Sequence, residues 1–323
     1  MLPRTPAANA LVDLTGPILN RRYSLGGVLG EGSAAILLAA EDLRTGRRVA
    51  AKLIQGPDPQ TGREMLARER NAALVVHPNV CSLTDFGEQG GVPYLILERL
   101  EGETLHEAIL HRGQLDFAST IHLFIELLCG LAATHAEGLV HRDVKPTNIF
   151  LVRRDGCDPT VKLIDFGVAI KTGRKSTPLA GTPAYMAPEQ ARSDVVDARS
   201  DIFSVGVSLF QAIAGRRPYS ARTYAALLAS HREPIPDVRA FRFDTPRMLS
   251  DVIRRATAIH PDERFASARE MMRALQAIPL AKREEGWDYP TAAPKHGATG
   301  SCTRIAVPQP QVDSEGPRTQ RMH

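Results

Sequence analysis

His141 to Leu151 reads HRDVKPTNIFL. Five hydrogen-bonding side chains, His141, Arg142, Asp143, Lys145 and Asn148, fall within eight positions and lead straight into an apolar run. A solvated loop between periodic segments has much the same polar content, so the neighbouring sequence has to decide. VKLIDFGVA, from Val161, delivers Asp165 at the end of a strand-like run and the start of a glycine-containing turn. GTPAYMAPE then closes on Glu189, twenty-four residues after Asp165. Three such segments in one chain make an ordinary surface loop a poor account of the first.

The 323 residues are 43% apolar. That is enough for a sizeable core in one large domain or two lobes sharing a cleft. The formal charge is only +4, with no run of Lys and Arg, which argues against a nucleic-acid partner. Cys81, Cys129, Cys157 and Cys302 are far apart with no C-x-x-C pair, so neither a zinc site nor a disulfide framework is indicated. No 18 uninterrupted apolar residues occur, and the start MLPRTPAANALVDLTGP lacks the apolar core of a signal peptide. The expectation is a cytoplasmic chain without a membrane span.

Residues 1–22 read as a loose lead-in. From Tyr23, YSLGGVLGEG, AAILLAAED, RRVAAKLI and VPYLILERL are short apolar runs bounded by Gly, Asp or Pro, the pattern of strands joined by tight turns. One amphipathic helix is predicted among them, REMLARERNAALVV, with Met65, Leu66, Ala72, Ala73 and Val76 as its apolar positions. After Gly102 the runs lengthen and become helical: STIHLFIELLCGLAATHAEG, DIFSVGVSLFQAIAG, TYAALLASH, PRMLSDVIRRATA and SAREMMRALQAI. The fold class is therefore α+β and bilobal, a strand-rich N-terminal lobe over 23–100 with one main helix and a helix-rich C-terminal lobe over 101–278. Residues 279–323 are rich in Pro, Gly, Ser and Thr and read as a disordered tail, the chief alternative being that Trp287 and Tyr289 dock on the folded domain.

HRDVKPTN, IDFG and GTPAYMAPE together resemble the serine/threonine protein kinases, specifically the Hanks-type kinases found in many bacteria, over Tyr23 to Ile278. The resemblance implies the protein-kinase fold with an ATP cleft between the lobes. Its motifs map onto charge neutralisation and alignment, the two needs of phosphoryl transfer. Asp143 would orient the substrate hydroxyl and accept its proton, and Lys145 would hold the γ-phosphate. Asn148 and Asp165 offer the amide and carboxylate oxygens preferred by Mg2+, with Mn2+ as its substitute. In LGEGSAAIL, Gly30 and Gly32 let backbone N–H groups approach phosphates, and Ala35 replaces the family's third glycine, which should stiffen the loop. Lys52 would bind the α- and β-phosphates, held by a carboxylate on the helix that follows; Glu69 is the candidate and Glu64 the competitor. Leu29, Leu37 and Ala50 would enclose the adenine, with Leu97 behind it and the backbone of Glu98 and Leu100 along its edge.

By the same resemblance, His141 is packed beneath the loop, Asp201 anchors the loop from below, and Arg264 pairs with Glu189. Lys145 and GTPAYMAPE favour serine and threonine over tyrosine, with Thr182 contacting Asp143 and Lys145 at the peptide-docking segment. Arg142 is a cation that an activation-loop phosphate neutralises in the family, and KTGRKSTPL offers Ser176 and Thr177 as acceptors. The implied partners are protein substrates, with room for a transient homodimer in autophosphorylation. Two other classes compete. A pseudokinase scaffold is disfavoured by the presence of Lys52, Asp143, Asn148 and Asp165, and a small-molecule phosphotransferase by GTPAYMAPE.

Overall fold

The computed structural model describes residues 17–32, 34–56, 58–154, 157–176, 182–219, 224–279 and 287. Six strands form the N-terminal lobe: β1 (Ile18–Leu19), β2 (Tyr23–Glu31), β3 (Ala35–Asp42), β4 (Arg47–Ile54), β5 (Leu83–Gln89) and β6 (Val92–Glu98). They make one antiparallel sheet in the order β1-β2-β3-β4-β6-β5. Alternation along the strands buries Ile36, Leu38, Val49, Ala51, Leu53, Tyr94 and Ile96 in one cluster. The other parity carries a row in register, Gly30 opposite Leu37, Leu37 opposite Lys52, and Lys52 opposite Leu95. A second row sets Ala39 beside Ala50 and Ala50 beside Leu97. Pairing thus gathers the residues expected to receive a nucleotide on one face.

Three details differ from the sequence expectation. The lead-in expected over 1–22 falls outside the described residues up to position 16, but its end is structured: β1 pairs with β2 and Leu19 is fully buried. β5 is an additional strand whose alternating half-buried and exposed residues, LTDFGEQ, suit a sheet edge and give no apolar run. The helix expected to reach Val76 is shorter, α1 (Pro59–Glu69), and passes into a 3-10 turn over Arg70–Leu74. Val76 is 95% exposed. The inner face of α1 turns on Gly62 and Glu69, seven residues apart, so its buried positions include a glycine and a carboxylate.

The C-terminal lobe begins at β7 (Gly102–Thr104) and continues through α2 (Leu105–Arg112), α3 (Phe117–Ala136), β8 (Leu139–Val140), β9 (Ile149–Val152), β10 (Thr160–Leu163), β11 (Ile170–Lys171) and β12 (Arg174–Lys175). It ends with α4 (Pro188–Ala191), β13 (Val195–Val196), α5 (Ala198–Ala214), α6 (Tyr224–Ser230), α7 (Arg247–Ala256) and α8 (Ala268–Gln276). Gly102 cannot be replaced without movement, because a Cβ there would lie 2.0 Å from the Leu151 carbonyl oxygen. α3 is capped by Asp116, which accepts from Ser119 N, and runs through the middle of the lobe against α8, β10 and α5. Its central place explains its apolar composition. Among the described residues it is the one helix long and apolar enough to cross a membrane, and 61% of that stretch is buried. From Ser200 onward every residue of α5 is buried.

The expected tail, 279–323, lies outside the described residues except at its first residue and at Trp287. Trp287 is not free in solvent: it is 8% exposed and belongs to the main C-lobe cluster. The Arg112 guanidinium lies 4.5 Å from its ring centroid, and its Nε1 donates to Glu103 Oε1 at 3.4 Å. Low apolar content around an isolated aromatic conceals such a contact, since one anchor needs no periodic neighbours. Trp287→Ala should lower stability by about 2 kcal/mol, combining lost burial with the cation–π contact. Thermal unfolding would then show a drop of a few degrees, and an unchanged midpoint would mean that the contact contributes nothing.

Candidate active site

Lys52 enters the cleft from β4 with its Nζ 2.8 Å from each carboxylate oxygen of Glu69 and 3.0 Å from Asp165 Oδ1. Of the two carboxylates considered on α1, Glu69 is therefore the one beside Lys52. Glu64 is exposed, 4.0 Å from Arg68. Burial acts first on Lys52 and would lower its pKa, but the charges of Asp165 and Glu69 outweigh it and hold the ammonium well above its ordinary value. At Asp165 burial would raise the carboxyl, and Lys52 overrides it to leave the group lowered. The Asp165 side chain nonetheless opens to the cleft, 42% exposed.

β10 delivers Asp165 through contacts made on both sides of the strand end. Leu163 N donates to Asn79 O and Cys81 N to Leu163 O, each at 2.9 Å, and Ile164 N donates to Asn148 O at 3.0 Å. Asp165 itself adopts a left-handed backbone, φ +66°, uncommon for a non-glycine residue and a marker of functional constraint. Gly167 follows, where an added Cβ would come within 3.2 Å of Asp165 Oδ1 and of Glu69 Oε1. The glycine of the turn therefore allows the two carboxylates to converge on Lys52.

HRDVKPTN is held from within the lobe. Asp201 of α5 is fully buried; its Oδ1 accepts from Arg142 N at 2.8 Å, and its Oδ2 accepts from His141 N at 2.9 Å and lies 2.8 Å from His135 Nε2. Burial would raise Asp201, but His135 and these donors leave it lowered. Gln190 Nε2 donates to Arg142 O at 2.8 Å, and Arg142 takes φ +68°. His141 is fully buried, with its ring edge against Phe166 at 4.8 Å, a packed histidine as expected. Beneath the docking segment, Arg264 donates to both carboxylate oxygens of Glu189 at 2.7 and 2.9 Å, and Ser200 adds a third bond at 2.7 Å.

On this frame the groups expected to be catalytic converge. Asp143 Oδ2 accepts from Lys145 Nζ at 2.7 Å and from Asn148 Nδ2 at 3.0 Å, while Oδ1 accepts from Thr182 N at 2.9 Å. Lys145 Nζ also donates to Thr182 Oγ1 at 2.6 Å. The Asn148 amide nitrogen is committed to Asp143, leaving its oxygen as an acceptor. With the open Asp165 carboxylate, that makes one amide and one carboxylate oxygen source suited to a hard cation. Among the described residues no three His, Cys, Asp or Glu cluster as a metal cage. This fits a cation that keeps waters and shares its coordination with phosphate oxygens.

Of the residues expected to face a nucleotide, Gly30, Leu37, Lys52, Ala50 and Leu97 lie along the two sheet rows. A Cβ at Gly30 would meet nothing within 4 Å, so no protein atom requires glycine there, and the open space is what an approaching ligand would use. Gly32 N closes the turn onto Ala35 O at 2.9 Å, and Ala35 is already the first residue of β3, paired with Ile54. Its methyl therefore sits on regular strand. Leu29 is exposed, Leu37 half-buried and Ala50 buried. At the lobe junction the Glu98 amide donates to Ser82 O at 3.0 Å. The Glu98 carboxylate meets Lys162 at 2.6 Å, an unexpected tie between β6 and β10.

Two expected positions on the activation loop separate. Ser176 is buried with its amide donated to Asp194 O at 2.9 Å, and Thr177 lies outside the described residues. Arg142 is 3% exposed, and its Nε has no hydrogen-bond partner. Burial first, and then the like charge of Arg68, lower its guanidinium. His135, Lys162 and Gln190 were not foreseen. Each acts on backbone or on a charge far away in sequence, and nothing local marks it.

The chain matches the model of the protein kinase domain over residues 23–277. It is 32% identical over 316 residues to the serine/threonine-protein kinase PknB of Mycolicibacterium smegmatis, a match covering 90% of this chain and 50% of that protein. Serine/threonine-protein kinase Pkn1 of Myxococcus xanthus is 34% identical over 284 residues, covering 84% and 40%. A probable serine/threonine-protein kinase of Streptomyces coelicolor is 35% identical over 276 residues, covering 80% and 40%. The chain thus spans half or less of the length of these relatives.

The hold of Asp201 on the HRD segment is testable apart from any activity. Asp201→Ala strands two buried backbone donors and should cost about 2–4 kcal/mol. Denaturant unfolding measures it, and an unshifted midpoint would show that the loop stands without Asp201.

Proposed function

This chain belongs to the protein kinase family, and from that premise we propose that it transfers the γ-phosphoryl group of ATP to serine and threonine hydroxyls of proteins. The observation that carries the reading is the convergence on Asp143 of Lys145, Asn148 and Thr182, facing a Lys52 already paired to Glu69 and Asp165. With Oδ1 and Oδ2 fixed by three donors, Asp143 is oriented to align a substrate hydroxyl and take its proton as the phosphoryl group leaves ATP. Lys145 balances negative charge at the receiving end. Lys52 does so at the α- and β-phosphates, and the backbone of Gly30 and Gly32 closes over them. Leu29, Leu37, Ala50 and Leu97 form the apolar walls for adenine, whose edge meets the backbone of Glu98 and Leu100. Asn148 and Asp165 would hold Mg2+, which would supply neutralisation of the phosphate charge, and Mn2+ shares the oxygen preference that would let it substitute. Thr182 positions the peptide beside the acceptor.

The same reading includes a switch. Arg142 is a buried cation with an unpartnered Nε adjoining the catalytic Asp143, so a phosphate on the activation loop would supply the missing acceptor. Ser176 and Thr177 are the proposed acceptors. For Ser176 the pairing of β12 with β13 would first have to open, because its hydroxyl is buried. A transient homodimer would let one copy modify another, and dependence on ATP favours the cytoplasm as the place of action.

Labelled ATP and Mg2+, supplied with threonine- and serine-containing peptides and followed by mapping of the modified residues, test the whole. Asp143→Asn and Lys52→Met should each cut transfer about 10²- to 10⁴-fold with the fold intact by circular dichroism. Ser176→Ala with Thr177→Ala should lower it about tenfold, the scale of one charge-assisted contact. Near-normal transfer by Asp143→Asn would rule out its role, and full activity of the double variant would rule out the switch.

A further inference from the structure

Beside Asp143, on the C-lobe side, lies a concavity of roughly 300 Å³ between α2, the catalytic loop and the end of α5. His106, Lys145, Thr147, Thr182, Tyr185, Gln211 and Arg217 line it. Its charge is one-sided. Three of the seven can carry positive charge, the other four are neutral, and no carboxylate is among them.

The groups differ in how far they are already engaged. Lys145 is bound to Asp143 and Thr182. The Gln211 oxygen accepts from the Tyr185 hydroxyl at 2.6 Å, which fixes both neutral groups as wall. Arg217 stands apart: it is exposed, and among the described residues no carboxylate forms an ion pair with it. Its charge reaches the same hydroxyl that Asp143 influences. Burial pushes Tyr185 up to about 12, the cation of Arg217 opposes the rise, and Asp143 adds to it. Arg217 shares the lining with Lys145 and Thr182, both bonded to Asp143, so an unpaired guanidinium stands in the concavity beside the proposed acceptor position.

We propose that this concavity selects acceptor sequences carrying an anionic side chain close to the serine or threonine, with Arg217 as its counter-ion. The inference rests on the kinase reading for the meaning of Asp143, and adds to it the class of substrate. A guanidinium is suited to a planar carboxylate or to a phosphate by paired N–H donors. Both a glutamate and a neighbouring residue already phosphorylated present that chemistry. A cation at the same place would meet Arg217 and His106 without a compensating acid, so basic acceptor sequences are disfavoured. Sequence inspection alone gives no hint of the site, because its lining comes from positions 106, 145, 147, 182, 185, 211 and 217.

The test uses the full chain and a set of threonine peptides with Glu, phosphoserine, Gln or Arg placed in turn at each of the flanking positions. Both kcat/KM for transfer and peptide affinity by fluorescence polarisation are measured. At one or more positions Glu should exceed Gln by about tenfold and Arg should be poorest, as expected for one charge-assisted pair. Phosphoserine above Glu assigns the site to previously phosphorylated substrates; Glu equal or better assigns it to acidic ones. Arg217→Ala should erase the discrimination, and Arg217→Glu should reverse it in favour of Arg, a gain that misfolding cannot mimic. Transfer to Glu, Gln and Arg peptides at equal rates, or discrimination that survives Arg217→Ala, overturns the proposal and leaves the kinase reading standing. Charge-selective binding lost in Arg217→Ala but with no transfer to any peptide supports the anion site and removes the kinase reading.

Discussion

A single ammonium group, the Nζ of Lys52, joins three elements that meet nowhere else in the sequence. It takes β4 to the end of α1 through Glu69 and to the end of β10 through Asp165, so one side chain couples the N-terminal sheet, its helix and the C-terminal lobe. Taking three charges partly out of water is costly, and buried ion pairs are weak contributors to net stability. Their value here is geometric. Asp165 is oriented with one oxygen on Lys52 and the other open, and α1 is drawn in against the sheet. The glycine at 167 and the glutamate facing inward from α1 follow from that one convergence.

The C-terminal lobe serves the same convergence by rigidity. Asp201 receives two consecutive backbone amides of the HRD segment, and the Glu189–Arg264 pair fixes the docking segment beneath Thr182. Arg142 and Asp165 both sit at positive φ, conformations that cost roughly 1–3 kcal/mol each and persist only where their surroundings hold them. Arg142 directly precedes Asp143, and Asp165 is itself the open carboxylate of the cleft. The buried helix α5 and the central α3 provide the apolar mass that keeps such positions occupied.

Much of this was legible in the sequence because it is written in local period. Short apolar runs gave four of the six sheet strands, and the longer runs after Gly102 gave the helical lobe. Lys52, Asp143, Asn148 and Asp165 could be singled out because each sits at a fixed place in a motif, and the fold brings Lys52 to Asp165 and Asn148 to Asp143. Other features are set by contacts across the fold. Glu69 was one of two carboxylates on its helix until the inward face of α1 was known, and the expected run to Val76 failed because the 3-10 turn at Arg70–Leu74 ends the helical period. β5 escaped notice because an edge strand needs only one buried side. Docking of Trp287 stood only as the alternative to a disordered tail because its partners, Arg112 and Glu103, lie about 180 residues earlier, as the sequence separation of 184 from Glu103 records.

The central claim is that Lys52, Asp165 and Asn148 form one phosphate-and-cation cradle, and calorimetric titration of a non-hydrolysable ATP analogue with and without Mg2+ tests it most directly. The unaltered chain should bind the analogue more tightly with the cation than without it. Asp165→Asn should retain the cation-free affinity and lose most of the gain, because it removes the open carboxylate while keeping the side chain's shape. Equal affinity with and without Mg2+ in the unaltered chain, or an undiminished gain in Asp165→Asn, would contradict the account.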